Sequence, residues 1–585
     1  MKILYGLIYE MDGSMQFMYL FLLGSLIVFP VLHHFMKKYA GIWSALCLIP
    51  LAVYIVFLWK EHYVGNNELT IQRYALFGAA ALVFALWGLA IFLKRSFAAY
   101  TIIMVTTNVL ILLLNIIVVW AVYLRPNVAN YSNLGWTESF ERTIDYLEKE
   151  YILNDWKEID YDRIREELIP KVREAERNND EIAYVTALYE LKYEFHDGHV
   201  TVRGDMAMRN AAMERLAGKD YGFSMFRADT GEIVAILVDE ESEAYMNGIH
   251  NGTVITMWDG VPIDEACANV KCIDREHPFQ TTENIYIGQP IFLAGQGGDE
   301  IRVSFINENN DEVSVLLPSC GEYIHRRTEA LEIFFGDNVI SRDNYSVSML
   351  DGHIGYLRIW EEEYSQNPFF ITKCTIAGFS QEIYDKLNAD LEKLSGEGMD
   401  SIIIDIRNNE GGNAFESRSV ASLFTSDPIS YYLSMYKDGE YVVVSESKEL
   451  NQCKWGDMPI VVLVNGQTVS AGEVLTNYLK GSDNITIMGN TTTWGAAQGT
   501  GGSTVLTDSK YEFRFPVTPV LGEDYLPIVD VKADGFARLK NDYQIDYSVE
   551  EVVKMFRHPE KDSVLEAAIE YLIDHGDGVS GRRYR

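Results

Sequence analysis

Basic residues are scarce in this 585-residue chain: 49 Lys and Arg stand against 84 Asp and Glu, a formal net charge of −35. The first 125 residues are mildly basic, so the remainder carries about −39. Such a surface repels nucleic acid and anionic lipid headgroups, which excludes polyanion binding. Cysteine is equally sparse. Cys47 lies in an apolar run, and Cys267, Cys272, Cys320, Cys374 and Cys453 show no paired metal-ligand spacing, so neither a zinc site nor a disulfide framework is expected. No metal or organic cofactor is implied. Internal repeats and low-complexity tracts are absent, and the length calls for several domains.

Charge is also missing from four N-terminal runs: Gln16 to Phe35, Ile42 to Trp59, Tyr74 to Leu93, and Phe97 to Leu124. Each approaches the ~20 residues that a helix needs to cross a bilayer core. Residues 1–125 are therefore expected to be an all-α region of four transmembrane helices held by the lipid bilayer. Paired cations in short loops, Lys37–Lys38 and Lys94–Arg95, favour an orientation with both termini outside. The expected location is the cell membrane, multi-pass, with the acidic part extracytoplasmic.

Beyond the runs, residues 130–217 read as helical, with apolar positions three and four apart (Ile164, Leu168, Val172; Ile182, Val185, Leu188). This segment ends in F-H-D-G-H-V-T-V, residues 195–202. Residues 218–320 alternate short strands with turns, and A-Y-M-N-G-I-H-N-G-T-V-I-T-M-W-D-G-V-P-I (244–263) resembles part of a PDZ domain. There Gly222, Phe223 and Ser224 would form the loop whose backbone N–H groups receive a peptide's terminal carboxylate, the peptide adding as a strand. Residues 325–585 alternate strands with helices, which argues an α/β core. Two apolar strands within it end in R-N-N-E-G-G-N (407–413) and N-G-Q-T-V-S-A-G-E (465–473).

Ser470 stands between a buried strand and a helix. A hydroxyl there is exposed at the carboxyl edge of a sheet, and the helix N-terminus favours an anion beside it. The same residue, with Glu473 three positions on, is also a helix capping box. The wider pattern decides between them. R-N-N-E-G-G, then V-S-A-G-E, then G-N-T-T-T-W-G-A-A-Q (489–498), with D-G-H upstream, resembles the tail-specific (C-terminal processing) and tricorn-type serine peptidases over roughly residues 136–585.

That resemblance implies a ClpP/crotonase-like peptidase core with an inserted PDZ-like domain. It implies Ser470 as nucleophile, the N–H of Ala471 as one oxyanion-hole donor, and the Gly411–Gly412 turn as the source of the second. Processing proteases place a lysine in a glycine turn after the serine, but the matching position here is Ala496. Lys480 lies ten residues along the helix, some ~15 Å away. The tricorn-like branch uses a histidine before the PDZ position; His199 matches it, with His196 as a rival. For the acid that orients it, the candidates are Asp542, which follows Lys540 at the aligned place, and Glu523. The expected function is a membrane-anchored serine endopeptidase acting on protein substrates, and self-association into a homo-oligomer is compatible with it. The other class compatible with these residues is a non-catalytic peptide-binding or scaffold protein that keeps the fold.

Overall fold

The computed structural model describes residues 27–39, four scattered positions from 42 to 49, 97–118 and 128–580. Within the last span, 276–279, 337–343, 351–352, 366, 427–431, 438–439, 447–452, 523 and 529–538 are left out. Two compact units are present: Met1–Thr143 with Gly502–Glu512, and Ile144–Gly501 with Phe513–Arg585.

In the first unit the helix Phe97–Val118 covers most of the fourth apolar run. Its first three turns hold Tyr100, Thr101, Thr106, Thr107 and Asn108, and His33 Nε2 meets Thr101 Oγ1 at 2.8 Å. Among the described residues no helix is long and apolar enough to cross a membrane. This corrects the expected multi-pass location and bilayer partner. The run 74–93 and nearly all of 42–59 lie outside the described residues, as does the first run up to residue 26. Elsewhere in this unit Val128–Asn130 pairs in parallel with Ser503–Val505, and Ser139 Oγ lies 2.8 Å from Thr507 Oγ1.

The second unit begins with helices that follow the apolar periodicity. Tyr161–Asn178 buries Ile164, Leu168 and Val172, and Glu181–Tyr193 buries Val185 and Leu188. Asp160 and Asp180 cap them by accepting backbone N–H bonds, and Asn179 makes the turn between them at φ 52°. Next, Ser224–Arg227 pairs antiparallel with Ile233–Ile236, and a four-stranded sheet contains Ile255–Trp258, Val261–Pro262, Glu300–Ile306 and Glu312–Pro318. The helix Thr282–Leu293 packs on Ser224–Arg227.

A six-stranded sheet forms the centre of the unit, in the order Tyr345–Leu350, Ile354–Ile359, Ser401–Asp405, Ile460–Leu463, Ile485–Gly489, Tyr543–Gln544. Only the first pair is antiparallel. Every residue of Ser401–Asp405 and Ile460–Leu463 is buried, as expected of parallel strands covered on both faces. The fold is thus mixed α/β. Because the three central strands are adjacent and parallel, the loops that follow them, 406–413, 464–470 and 490–497, emerge together at one sheet edge. Backbone and side-chain bonds stitch them: Val469 N–H to Asn409 O (3.0 Å), Gly466 N–H to Thr491 Oγ1 (2.7 Å) and Trp494 N–H to Thr468 O (3.1 Å).

Asp405 anchors the first of these loops. Its carboxylate is fully buried, accepts from Tyr356 Oη and Arg407, and pairs with Arg358; Arg407 continues to Asp562 at 2.7 Å. Burial alone would raise this carboxyl, but the two guanidinium charges outweigh it and hold it well below the usual range. Its stabilisation is therefore complete above the ordinary carboxylate pKa and is lost as the pH falls towards the folded value. Asp405→Asn, which removes the fully buried charge partner of Arg358 and one of the two partners of Arg407, is expected to cost about 3–5 kcal/mol at pH 7. Urea unfolding at pH 7 and pH 3 checks this: the difference between the two proteins shrinks at the lower pH.

Candidate active site

Ser470 stands at the start of the helix Ala471–Leu479 with φ 58°, a strained conformation for a residue with a side chain. Its N–H donates to Glu473 Oε2 at 3.0 Å. Ala471 is the first residue of the helix, where a backbone N–H lacks an intrahelical acceptor. Gly411, at φ +82°, presses directly on this turn. A Cβ there would lie 2.7 Å from Ser470 Cβ and 3.0 Å from the Ala471 nitrogen, so only glycine fits. The loops after two strands thus bring Ser470, Ala471 and Gly411 together. The Gly411 N–H, however, is committed to Asn409 Oδ1 at 2.8 Å. Gly412 packs on Glu362, whose carbonyl oxygen would lie 2.3 Å from a Cβ at that position.

Glu473 does far more than cap a helix. Its side chain is buried, and it accepts from Ser470, from Gly495 N–H (2.7 Å) and from Ala496 N–H (2.8 Å). One carboxyl group therefore ties the serine turn to the loop after the next strand. Burial pushes it up to about 7 against the opposing pull of those N–H bonds. The D-G-H segment lies on the same loop. A Cβ on Gly198 would come 2.1 Å from Trp494 Nε1 and 2.9 Å from Ala496 Cβ. The position matched to the lysine is thus filled by a fully buried methyl that seats the histidine-bearing segment.

His199 is partly buried, and its Nδ1 has no hydrogen-bond partner. Burial lowers its pKa, with the Asp197 charge opposing. Asp197 is fully buried and accepts from the His199 backbone N–H (2.9 Å) and from Tyr151 Oη (2.7 Å). His196 is occupied otherwise. Its φ is 42°, its ring packs on Tyr193, its carbonyl accepts from Lys157 Nζ, and burial drives it down to about 4.

Asp542 is not brought to His199 by any contact among the described residues. It clasps the strand Ile485–Gly489 instead: its N–H donates to Ile487 O (2.8 Å) and its Oδ2 accepts from Ile487 N–H (2.9 Å). Lys480 approaches it at 4.0 Å and also donates to the Lys540 carbonyl, so this lysine faces the sheet edge. Glu523 lies outside the described residues.

In the presumed peptide loop, Gly222 (φ +90°) donates its N–H to Asp220 Oδ1 at 2.8 Å. Phe223 and Ser224 are fully buried, with Ser224 Oγ against Tyr323 Oη. None of the five described cysteines is in a disulfide, and no group of three or more metal-ligating side chains occurs among the described residues.

Sequence reasoning missed Glu473 as a clasp, Asn409 as the acceptor for Gly411, and Asp197 as the acid nearest His199 in the chain. Asp197 carried a signal in D-G-H itself. The other two depend on how three loops meet.

Residues 353–528 match the sequence model of peptidase family S41. Over 122 residues the chain is 31% identical to the carboxy-terminal processing protease CtpA of Bacillus subtilis (strain 168), covering 21% of this chain and 25% of that protein. Over 117 residues it is 32% identical to a carboxyl-terminal-processing protease of Synechocystis sp., covering 20% and 26%. The match thus spans about a quarter of each relative's length. Among solved structures, mature CPAF complexed with lactacystin aligns over 74% of this chain and 98% of its own, at 13% identity and a TM-score of 0.44.

The Glu473 clasp makes a measurable prediction. Glu473→Gln replaces one acceptor oxygen with an amide NH2 group facing backbone N–H donors and is expected to cost about 1–3 kcal/mol. Because the folded carboxyl titrates near 7, above its ordinary value, its contribution is fully present at low pH and is lost as the pH rises through about 7. Urea unfolding at pH 5 and pH 8 should show this decline in the parent chain and not in the variant.

Proposed function

We propose that this chain, whose residues 353–528 form an S41-type serine peptidase segment, hydrolyses peptide bonds with Ser470 as nucleophile and His199 as general base. The observation that carries the reading is the Glu473 carboxyl group. It holds the Ser470 N–H and the Gly495–Ala496 N–H groups, while Gly198 of D-G-H rests on Ala496.

In this scheme the His199 imidazole takes the Ser470 hydroxyl proton as the oxygen attacks the peptide carbonyl. It returns that proton to the leaving amine, and water then releases the acyl-enzyme. Burial keeps His199 neutral at pH 7, which is the form a base needs. The Ala471 N–H stabilises the oxyanion, with a second donor from the glycine turn. Since Gly411 is held by Asn409, we assign that role to the Gly412 N–H. Loss of one such donor typically costs on the order of 100- to 1,000-fold in rate. Asp197, which holds the His199 backbone N–H, is our candidate for the acid that positions this histidine. Lys480, turned to the sheet edge, has no part. The carboxy-terminal processing proteases that it resembles suggest the C-terminal part of a protein as substrate. We read residues 218–320 as a PDZ-like peptide-binding domain that precedes the core.

Hydrolysis of a fluorescently labelled, unfolded polypeptide tests the assignment. Ser470→Ala and His199→Ala should each lower kcat/KM by roughly 10³-fold or more, and Lys480→Ala by less than about threefold. The acidic limb of kcat/KM should fall below the ordinary imidazole value of ~6.5, because a lowered pKa keeps the base form at lower pH. Full activity in His199→Ala, or its loss in Lys480→Ala, would contradict the scheme.

A further inference from the structure

Glu362 follows the strand Ile354–Ile359 and is fully buried against the glycine turn beside Ser470. Its backbone is tied to that turn on both sides. The Glu362 N–H donates to Gly411 O at 2.7 Å, and its carbonyl accepts from Asn413 N–H at 2.8 Å, a parallel bridge to Gly412. Its side chain reaches the same turn by a second route. Asn409 Nδ2 donates to Glu362 Oε1 at 3.0 Å, while Asn409 Oδ1 accepts the Gly411 N–H. The Asn409 carbonyl in turn holds the Val469 N–H, next to the serine. One side-chain amide thus separates this carboxyl group from the glycine turn.

The groups around it do not favour a negative charge. Glu416, on the helix Ala414–Ala421, faces it and is held by Tyr364 N–H (3.0 Å) and Asn413 Nδ2 (3.1 Å). Glu361 faces it from its own segment and accepts from Asn344 Nδ2. Glu363 and Glu410 extend the same acidic field. Tyr364 stands between Glu362 and Tyr345, which bonds Asp390 and lies under Lys386. The cations on the packed elements are engaged elsewhere: Arg358 and Arg407 with Asp405, Arg418 with Gly378 O at 3.0 Å. Burial and the charges of Glu416 and Glu361 push Glu362 up to about 8, against the pull of Asn409 and of its own N–H. Burial likewise pushes Glu416 up to about 7. Other residues supply three backbone N–H donors to Glu473 and two N–H donors to Glu416, which hold those groups when ionised; to Glu362 they supply one.

With a folded pKa above the ordinary value, the neutral acid stabilises this arrangement fully at low pH, and the contribution is lost as the pH rises through about 8. Above that point the group carries a charge in a dry site or reaches water. Because its backbone is bonded to the turn on both sides, it reaches water only by moving the turn. We propose that Glu362 is a positioning residue for the serine site: its neutral carboxyl group seats the Gly411–Gly412 turn beside Ser470, and its ionisation loosens that turn and gives the site an alkaline limit. The effect on catalysis rests on the peptidase reading above; the effect on the turn does not.

Two readouts on the full chain test this. With the labelled polypeptide, kcat of the parent should fall tenfold or more between pH 7.5 and pH 9.5, with KM changing less than about threefold. Glu362→Gln keeps an acceptor for Asn409 and cannot ionise, so its kcat should change less than about threefold over that range. Glu362→Ala should lower kcat tenfold or more at pH 7.5, and the glutamine variant should recover most of that loss. The second readout needs no activity: amide hydrogen exchange of residues 409–413, expressed as protection relative to the intrinsic rate at each pH. Protection should drop tenfold or more from pH 7.5 to pH 9.5 in the parent and hold within about threefold in Glu362→Gln. The same pH profile in parent and Glu362→Gln, by either readout, overturns the inference, and so does an alkaline loss carried by KM. A pH-dependent turn in a chain that cleaves nothing would keep this inference and sink the peptidase reading. Cleavage with exchange indifferent to Glu362 would do the reverse.

Discussion

A single buried carboxyl group holds the candidate site together. Glu473 accepts N–H bonds from the serine turn and from the Gly495–Ala496 turn, and so fixes two loops that arise from different strands. Three such bonds oppose the cost of removing a carboxylate from water, although burial still dominates and keeps its pKa near 7. The clasp acts beside the bonds from Gly466 to Thr491 and from Trp494 to Thr468, and it alone of the three starts from the serine turn itself. Gly198 makes the contact possible, since any side chain at that position would collide with Trp494.

The sheet explains why the clasp can exist. Parallel neighbours deliver their carboxyl ends to one edge, so three loops distant in sequence become neighbours in space. Asp405 anchors the first loop through two guanidinium groups, and Asn409 in the same loop holds Gly411 through its side chain and the Val469–Ser470 turn through its carbonyl. The bond from Gly411 to Asn409 spends on structure an amide that lies beside Ser470, which is why we assign the second oxyanion donor to Gly412.

The α/β core was legible because Ser401–Ile406 and Pro459–Val464 are unbroken apolar runs of strand length bounded by turn residues. The serine and its glycine turn were legible because they close those strands. Glu473 was visible only as a capping residue, since its bonds to Gly495 and Ala496 depend on a loop 22 and 23 residues away. The resemblance points to Asp542 because it lies two residues past Lys540 at the aligned place, but a β-type clasp with Ile487 absorbs both its backbone N–H and its carboxylate. Of the apolar N-terminal runs the structure describes mainly the fourth, and among the described residues no helix is long and apolar enough to cross a membrane.

The central claim is that Ser470 is an activated hydroxyl served by His199. The most direct measurement is covalent labelling of the full chain with a fluorophosphonate probe, with the adduct located by peptide mass and its rate of formation followed in His199→Ala. The account predicts one adduct, on Ser470, forming at least 100-fold more slowly once His199 is removed. An adduct elsewhere, none at all, or labelling indifferent to His199 would contradict it.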